Sequence, residues 1–185
     1  MKKLLIITGD LACGKSTFAE HLSVKYGVPL FCKDNVKEIL GDTVGFSDRA
    51  ENRRLSVASV QIMEHIFARL AERGQDMIAE ANFRGEELEA FHKIAENSGF
   101  DMLTLRFTGD EAILFRRFRD RIEHGDRHPV HQSAGLKDLE TFSAYLHTIR
   151  AEILPGRVVD VCADDFSFYS DPVLTETIER FMEGK

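Results

Sequence analysis

The sequence predicts an α/β domain in which helices cover both faces of a parallel β-sheet. Short apolar runs of strand length alternate along the chain with segments whose apolar residues recur at three- and four-residue steps. A glycine-containing stretch, residues 9–16, joins the first apolar run to the first helical segment. The length of 185 residues suits a single domain over residues 1–185 with a sizeable core.

Five strands are expected, each from a short apolar run, at residues 4–8, 28–32, 76–80, 102–107 and 157–161. Helices are expected at residues 16–26, 35–40, 48–73, 86–97, from 111 onwards, 136–154 and 172–182, with a loop at 41–47. Asp48 is a candidate N-cap of the longest helix and Gly74 a candidate stop, while Pro155 ends the sixth.

The apolar spacing also predicts which face of each helix is buried. The expected buried residues are Leu55, Ala58, Ile62, Ile66 and Leu70 in helix 48–73, with Met63 and Phe67 beside them, then Leu114, Phe118 and Ile122 in the helix from 111, and Leu139, Phe142, Leu146, Ile149 and Ile153 in helix 136–154. We interpret these residues as core rather than as ligand contacts.

Composition excludes several classes of protein. Hydrophobic residues make up 43% and charged residues 30% of the chain, as in soluble globular proteins. The net charge of −7 argues against an extended nucleic-acid surface, although a local basic site remains compatible with it. No apolar run approaches the length of a membrane span. The three cysteines form no disulfide framework, so we expect a cytoplasmic protein. We also expect it to be a monomer or a weak dimer.

Residues 9–16 read G-x-x-x-x-G-K-[ST], the pattern of a phosphate-binding loop. Gly9 and Gly14 let the backbone turn tightly and approach a phosphate, and the loop N–H groups then converge on it. Lys15 adds a charge for the β- and γ-phosphates, and Ser16 adds a hydroxyl for Mg²⁺. Asp10 places a carboxylate in this loop, so its side chain should point away from phosphates or pair with a cation.

Asp34 follows the second strand directly, at the edge of the sheet where ligands bind in α/β proteins. One interpretation is a general base or an orienter of an attacking hydroxyl, and the other is a helix N-cap. The spacing alone does not separate the two. Its neighbour Lys33 either contacts substrate or phosphate or is simply solvated.

Glu80 ends the third strand and is a candidate for the second coordination sphere of Mg²⁺ or for orienting a nucleophile. A role in capping a turn or in an ion pair is the alternative. Asn82 and Arg84 follow on the same rim and are candidate substrate contacts.

Arg117 and Arg121 lie one helical turn apart, and Arg127 follows in a loop interrupted by Pro129. Alone, this basic face would be expected to pair with surface acids such as Asp120 and Glu123. In a chain that also has a phosphate-binding loop, it favours a lid that closes over nucleotide phosphates. The histidines at 124, 128 and 131 are not interpreted as a metal site, because Pro129 prevents one regular helix from presenting all three.

Together, residues 9–17, Lys33 with Asp34, Glu80, the arginine pair and residues 127–129 resemble the small P-loop kinases. These include nucleoside monophosphate kinases, gluconate and shikimate kinases, chloramphenicol phosphotransferase, zeta toxins and predicted ATP-dependent kinases of the AAA type. The resemblance covers nearly the whole chain in element order. The chain departs from it at Ala12, where many members carry glycine.

The resemblance implies a three-layer sandwich with strand order 2-3-1-4-5 and an arginine-bearing lid at about residues 116–135. The ATP-binding residues it implies are Gly9, Asp10, Leu11, Ala12, Cys13, Gly14, Lys15, Ser16, Thr17 and Arg117. The catalytic residues it implies are Lys15, Asp34, Arg117, Arg121 and Arg127. Arg117 would lie near the adenine or the phosphates, and the other two arginines nearer the transferring group.

The expected function is transfer of the ATP γ-phosphoryl group to a hydroxyl or phosphate of a small molecule, with Mg²⁺. One alternative is a nucleotide-dependent switch or interaction protein that binds ATP without an acceptor, but such a protein has little need of three lid arginines. Another is a polynucleotide 5′-hydroxyl kinase, which the acidic charge disfavours.

Overall fold

A computed structural model of the chain describes residues 2–125, 127–131 and 135–184. Its five-stranded sheet has the order β2-β3-β1-β4-β5, made of β1 (Lys2–Gly9), β2 (Leu30–Cys32), β3 (Met77–Glu80), β4 (Phe100–Thr108) and β5 (Arg157–Cys162). Every pairing in the sheet is parallel. The predicted fold class and strand order are therefore confirmed.

The described part contains seven α-helices: α1 (Lys15–Tyr26), α2 (Lys33–Val44), α3 (Arg49–Glu72), α4 (Gly85–Asn97), α5 (Glu111–Glu123), α6 (Leu139–Arg150) and α7 (Pro172–Glu183). Two 3₁₀ turns, Pro129–His131 and Ser167–Ser170, come after α5 and β5. Among the helices of the described ranges, none combines the length with the apolar character that crossing a bilayer requires.

The central strand β1 supplies side chains to an apolar layer on each face of the sheet. Leu5 and Ile7 pack in one layer with residues of α1, α5, α6 and α7. Leu4 and Ile6 pack in the other layer with residues of α3 and α4. Successive strand side chains point to opposite faces, so a strand buried on both sides reads as a continuous apolar run. The covered faces leave the carboxyl edge of the sheet as the place where polar residues gather.

The buried face of α3 agrees with the expected one only in part, since Leu55, Met63 and Phe67 are buried as expected. Phe67 is fully buried, as is Met63, but Ile62 is 38% exposed. The buried row passes through Ser59, whose hydroxyl donates a hydrogen bond of 2.7 Å to the carbonyl oxygen of Leu55. Ser59 interrupts the apolar pattern on this line of helix positions. Apolar spacing alone therefore predicts burial of the adjacent line of positions, which contains Ile62. The residues of that row, Ala58, Ile66 and Leu70, are only half-buried.

Helix ends account for the other differences. Ile122, Leu139 and Ile153 were expected inside and are exposed. Ile122 lies in the last turn of α5, Leu139 begins α6, and Ile153 lies beyond its last residue, Arg150. In the other direction, α2 continues to Val44, so most of the loop expected at 41–47 is helical.

Candidate functional site

The loop between β1 and α1 has the backbone that its sequence pattern predicts. Gly9 has φ +120°, and a Cβ there would lie 2.1 Å from the carbonyl oxygen of Phe107, so only glycine fits. Gly14, at φ +85°, precedes the first residue of α1. Ala12, where glycine is common among the kinases that the chain resembles, has φ +58°. It is the one non-glycine residue of the described part with positive φ, so this loop keeps a glycine-like conformation at some cost in strain.

Lys15 lies buried along the inside of this loop. Its ammonium group donates to the carbonyl oxygens of Gly9, at 3.3 Å, and Asp10. The Cys13 sulfur lies 3.5 Å away from the same nitrogen. Burial raises the pKa of the Cys13 thiol, and the Lys15 charge opposes that rise. The lysine charge is therefore held at the loop by weak neutral acceptors that a phosphate oxygen can replace.

The side chain of Asp10 is paired with a cation, as expected. Its carboxylate accepts hydrogen bonds from Arg150, the shortest at 2.6 Å from Nη2, and one of 3.1 Å from the amide nitrogen of Gly109. Arg150 lies at the end of α6 and carries no motif, so the sequence predicts that a cation is needed without indicating which one.

Ser16 and Glu80 meet at the carboxyl edge of the sheet. The Ser16 hydroxyl donates to Glu80 Oε2 at 3.1 Å. β3 lies between β1 and β2 and pairs Glu80 with Ile7 and with Cys32, so the carboxylate stands beside the end of each neighbouring strand. Glu80 is buried, and burial raises its pKa while the nearby Lys15 charge lowers it. A hydroxyl and a carboxylate thus lie side by side next to the loop lysine.

Asp34 lies in the first turn of α2, which begins one residue earlier at Lys33. The N-cap position belongs to Cys32, and no side chain caps this helix, so the N-cap interpretation of Asp34 is wrong. The Asp34 carboxylate is 63% exposed and lies 3.8 Å from Nδ1 of His131. Its charge also opposes the fall in pKa that burial causes at Arg127. The carboxylate is therefore open to solvent on one side and surrounded by basic groups on the other.

The other predicted substrate residues are paired or partly buried, unlike the exposed Asp34. Lys33 makes an ion pair of 3.1 Å with Glu87, so the interpretation as a solvated lysine is wrong. Asn82 is half-buried just after β3. Arg84 precedes α4, and its guanidinium lies 3.4 Å from a carboxylate oxygen of Glu152.

Arg117 forms no ion pair with an acid of the described residues. Its guanidinium donates to the carbonyl oxygens of Ala163 at 2.7 Å and Asp164 at 2.6 Å, and it lies 4.6 Å from the ring centre of Phe166. The Phe166 ring in turn reaches the phosphate loop, since a Cβ on Gly14 would lie 3.1 Å from Phe166 Cε1. No pattern in the sequence singles out this phenylalanine.

The expected pairing of this basic helix face with a surface acid is found instead at Arg119, which forms an ion pair of 3.0 Å with Glu123. Arg121, one turn after Arg117, is exposed. The two arginines expected to act together therefore have different surroundings, one bound to carbonyls and an aromatic ring and the other in solvent.

Residues 127–131 rest on α2 beside Asp34. The guanidinium of Arg127 lies 5.0 Å from the ring centre of Phe118, and its Nε donates to the carbonyl oxygen of His131 at 2.9 Å. Val130 is buried and lies against Gly41. Of the expected lid, 116–135, residues 126 and 132–134 lie outside the described residues.

Two histidines and a lysine hold that segment to α2. His128 contacts Asp42 and His131 contacts Glu38, each at 3.0 Å. Lys37, which the sequence does not single out, donates to the carbonyl oxygen of Val130 at 3.2 Å. Burial lowers the pKa of Lys37. The histidines are thus paired with carboxylates of α2, and no cluster of three or more metal-binding side chains occurs among the described residues.

The model of a family described as an AAA domain matches residues 4–145. The chain belongs to this AAA-domain family. Comparison of this AAA-domain chain with curated proteins gives no match.

Solved structures show that the AAA-domain chain has the fold of the small P-loop kinases. A protein from Chloroflexus aurantiacus, named provisionally as a kinase, is 28% identical, with a TM-score of 0.80 over 97% of this chain and 98% of that one. The APS kinase of Mycobacterium tuberculosis, in complex with AMPPNP and APS, is 16% identical, with a TM-score of 0.58 over 100% and 98%. The shikimate kinase of Bacteroides thetaiotaomicron is 18% identical, with a TM-score of 0.55 over 97% and 98%. At the two lower identities the likeness concerns the fold alone.

Proposed function

We propose that the protein is an ATP-dependent phosphotransferase that moves the γ-phosphoryl group to a hydroxyl or phosphate of a small molecule. The observation that carries this proposal is that the carboxyl ends of three strands lie side by side in the sheet. β1, β3 and β2 are adjacent, so Lys15 and Ser16, Glu80 and Asp34 follow three neighbouring strands on one edge of the sheet. Phosphoryl transfer needs a phosphate site, a metal site and an oriented acceptor close together.

In this proposal the loop N–H groups and the start of α1 bind the triphosphate, and the Lys15 ammonium exchanges carbonyl acceptors for phosphate oxygens. The adenine base of ATP is proposed to lie near Arg117 and Phe166. The Arg117 guanidinium already stacks on the Phe166 ring, at 4.6 Å from its centre, so the outer faces of this pair are the flat surfaces against which a planar base can stack. Contact between Phe166 and Gly14 places this stack next to the phosphate loop.

The residues present suit Mg²⁺. Ser16 and Glu80 supply a hydroxyl and a carboxylate, which are hard oxygen donors of the kind that Mg²⁺ prefers, and they already share a hydrogen bond. We propose that Ser16 holds the ion and that Glu80 orients Ser16 or a bound water. When bound, Mg²⁺ would supply positive charge that offsets the negative charge of the triphosphate during transfer.

On the acceptor side, we propose that Asp34 accepts a hydrogen bond from the attacking hydroxyl, or orients it, and that Arg127 and Arg121 offset negative charge during transfer. Asp34 is exposed enough to meet a ligand. Lys33, Asn82 and Arg84 border the same rim and are proposed substrate contacts. The free cysteines support our further proposal of a cytoplasmic enzyme.

The test is an ATP-consumption screen against sugars, nucleosides, nucleotides, aminoglycosides and other antibiotics. We expect one acceptor class to raise consumption in the wild type, and Lys15→Met to lower that rate by about 100-fold or more. Lys25→Met, on the exposed face of the same helix, is the matched control and should keep the wild-type rate. Tight ATP binding with no acceptor-dependent consumption across the panel would instead favour a nucleotide-binding switch.

A further inference from the structure

One guanidinium, that of Arg150, lies at the junction of the phosphate loop and the turn that leads into α5. Its Nε and Nη2 reach both carboxylate oxygens of Asp10, at 3.2 Å and 2.6 Å. Nη2 also donates to the carbonyl oxygen of Gly109 at 2.6 Å, and Nη1 donates to Glu111 at 2.9 Å. Three chain segments that are far apart in sequence therefore meet at one side chain.

Asp10 explains why a cation is needed there. It belongs to the loop that is proposed to bind a triphosphate, yet its side chain is completely buried. A buried carboxylate without a partner costs several kcal/mol and, next to a phosphate site, also repels the ligand. Among the described groups, Arg150 is the one cation that hydrogen-bonds the Asp10 carboxylate. The Arg150 guanidinium neutralises the Asp10 carboxylate, and the backbone N–H groups of the loop remain available to a phosphate.

The same contacts connect the loop to the helix that carries Arg117. The Gly109 amide donates to Asp10 at 3.1 Å while the Gly109 carbonyl accepts from Arg150. The next residue, Asp110, caps α5 by accepting from the amides of Ala112 and Ile113, each at 3.0 Å. The position of α5, and with it Arg117, is thereby tied to the position of the phosphate loop.

We propose that Arg150 is a positioning residue for the nucleotide, which neutralises Asp10 and fixes the phosphate loop relative to the Arg117 helix. This inference rests on the proposed nucleotide site. Arg150 lies outside residues 4–145, the part of the chain that matches the family model. It touches the loop through Asp10 and makes no contact with phosphate in this role.

The experiment measures binding of the non-hydrolysable analogue AMPPNP with Mg²⁺ by calorimetry, so no acceptor is needed. We expect Arg150→Met to weaken binding by about tenfold or more, because the Asp10 charge is then unpaired beside the triphosphate. The double variant Asp10→Asn with Arg150→Met should recover most of that loss, since the charge is gone and the amide oxygen still accepts from Gly109. Asp10→Asn alone completes the cycle.

Arg106→Met is the comparison variant. Arg106 also binds a carboxylate with two hydrogen bonds, to Asp160 at 2.5 and 3.0 Å, and lines the same surface cavity as Arg150. It interacts with the Asp10 charge without hydrogen-bonding it, so Arg106→Met should weaken binding less than Arg150→Met does. If Arg150→Met does not fold, Arg150→Lys replaces it, which keeps the charge but not the paired bonds and should weaken binding by about threefold.

The outcomes separate the two proposals. Wild-type binding with an unchanged dissociation constant for Arg150→Met would overturn the positioning role alone. A double variant that binds no better than Arg150→Met at equal melting temperature would show that the charge on Asp10 is irrelevant and would also overturn it. No binding by the wild type would contradict the proposed function and this inference together.

Discussion

Single residues at the carboxyl edge of the sheet hold charges that the fold keeps away from water. Lys15 and Glu80 are both buried there, and the Ser16 hydroxyl lies between the loop and the carboxylate. Burial raises the pKa of Glu80, since a charged carboxylate loses its hydration, although Lys15 favours the charged form. Groups of this kind cost stability and are common in catalytic sites.

We expect Glu80→Gln to raise the melting temperature at pH 8. A carboxyl whose pKa is raised on folding stabilises the folded state while protonated, and that contribution is lost as pH rises through the raised pKa. The amide has no such loss, so the gain should shrink towards pH 4, near the pKa of about 4.3 of an unperturbed glutamate. Activity should fall in the same variant. Glu179→Gln, at an exposed glutamate, is the control, and an equal gain for Glu80→Gln at both pH values would contradict the prediction.

Asp34 is the residue whose proposed role is most directly testable once an acceptor is known. We expect Asp34→Asn to lower kcat by about 100-fold, the usual contribution of a general base, and to leave the ATP KM within about threefold. Glu89→Gln, at an exposed carboxylate of α4 that pairs with Lys93 on the same helix, should keep kcat. Steady-state kinetics at saturating ATP distinguish the two. An unchanged kcat for Asp34→Asn would remove it from the mechanism.

Strands and helices were predicted well where the local sequence pattern determines them. Features that depend on how the elements pack against each other were predicted less well. The order strand, glycine loop, helix around residues 9–16 is local, and it is present in the structure. The buried row of α3 is not local, because two neighbouring rows carry apolar residues and contact with the sheet selects the one containing Ser59. Capping at Asp48 and the positive φ of Gly74 agree with the predicted ends of this helix.

Two substitutions distinguish the rows of α3. Phe67→Ala removes a fully buried ring and should lower the free energy of unfolding by about 3–5 kcal/mol. Ile62→Ala, at a residue that is 38% exposed, should cost about 1 kcal/mol or less. Urea denaturation followed by circular dichroism measures both. Comparable losses at the two positions would mean that the face assigned to the core is wrong.

At the scale of the whole molecule, the sheet order brings together residues that the sequence separates. Ser16 was predicted to bind Mg²⁺ and Glu80 to lie in its second coordination sphere, and the sheet brings the two side chains within hydrogen-bond distance. Arg150 and Phe166 were missed as individual residues. Arg150 meets Asp10 across 140 positions and Arg117 meets the β5 loop across 46, and such pairings depend on how helices pack rather than on any local pattern.

Ligand binding should be visible in the stability of the whole chain. AMPPNP with Mg²⁺ at 100 times its dissociation constant adds about 2.7 kcal/mol, which raises the melting temperature of a chain of this size by about 5 °C or more. Lys15→Met should abolish the shift and Lys25→Met should keep it. Differential scanning fluorimetry provides the measurement. A shift of equal size in Lys15→Met would place the nucleotide elsewhere.

The contact between Asp10 and Arg150 has a consequence for biosynthesis. The ribosome makes the loop about 140 residues before it makes Arg150, so Asp10 of the nascent chain lacks this partner until α6 has been synthesised. The nucleotide site is therefore expected to be completed only after α6 has been made, and a polypeptide truncated before α6 is expected to retain the glycines and the lysine of the loop without gaining its affinity.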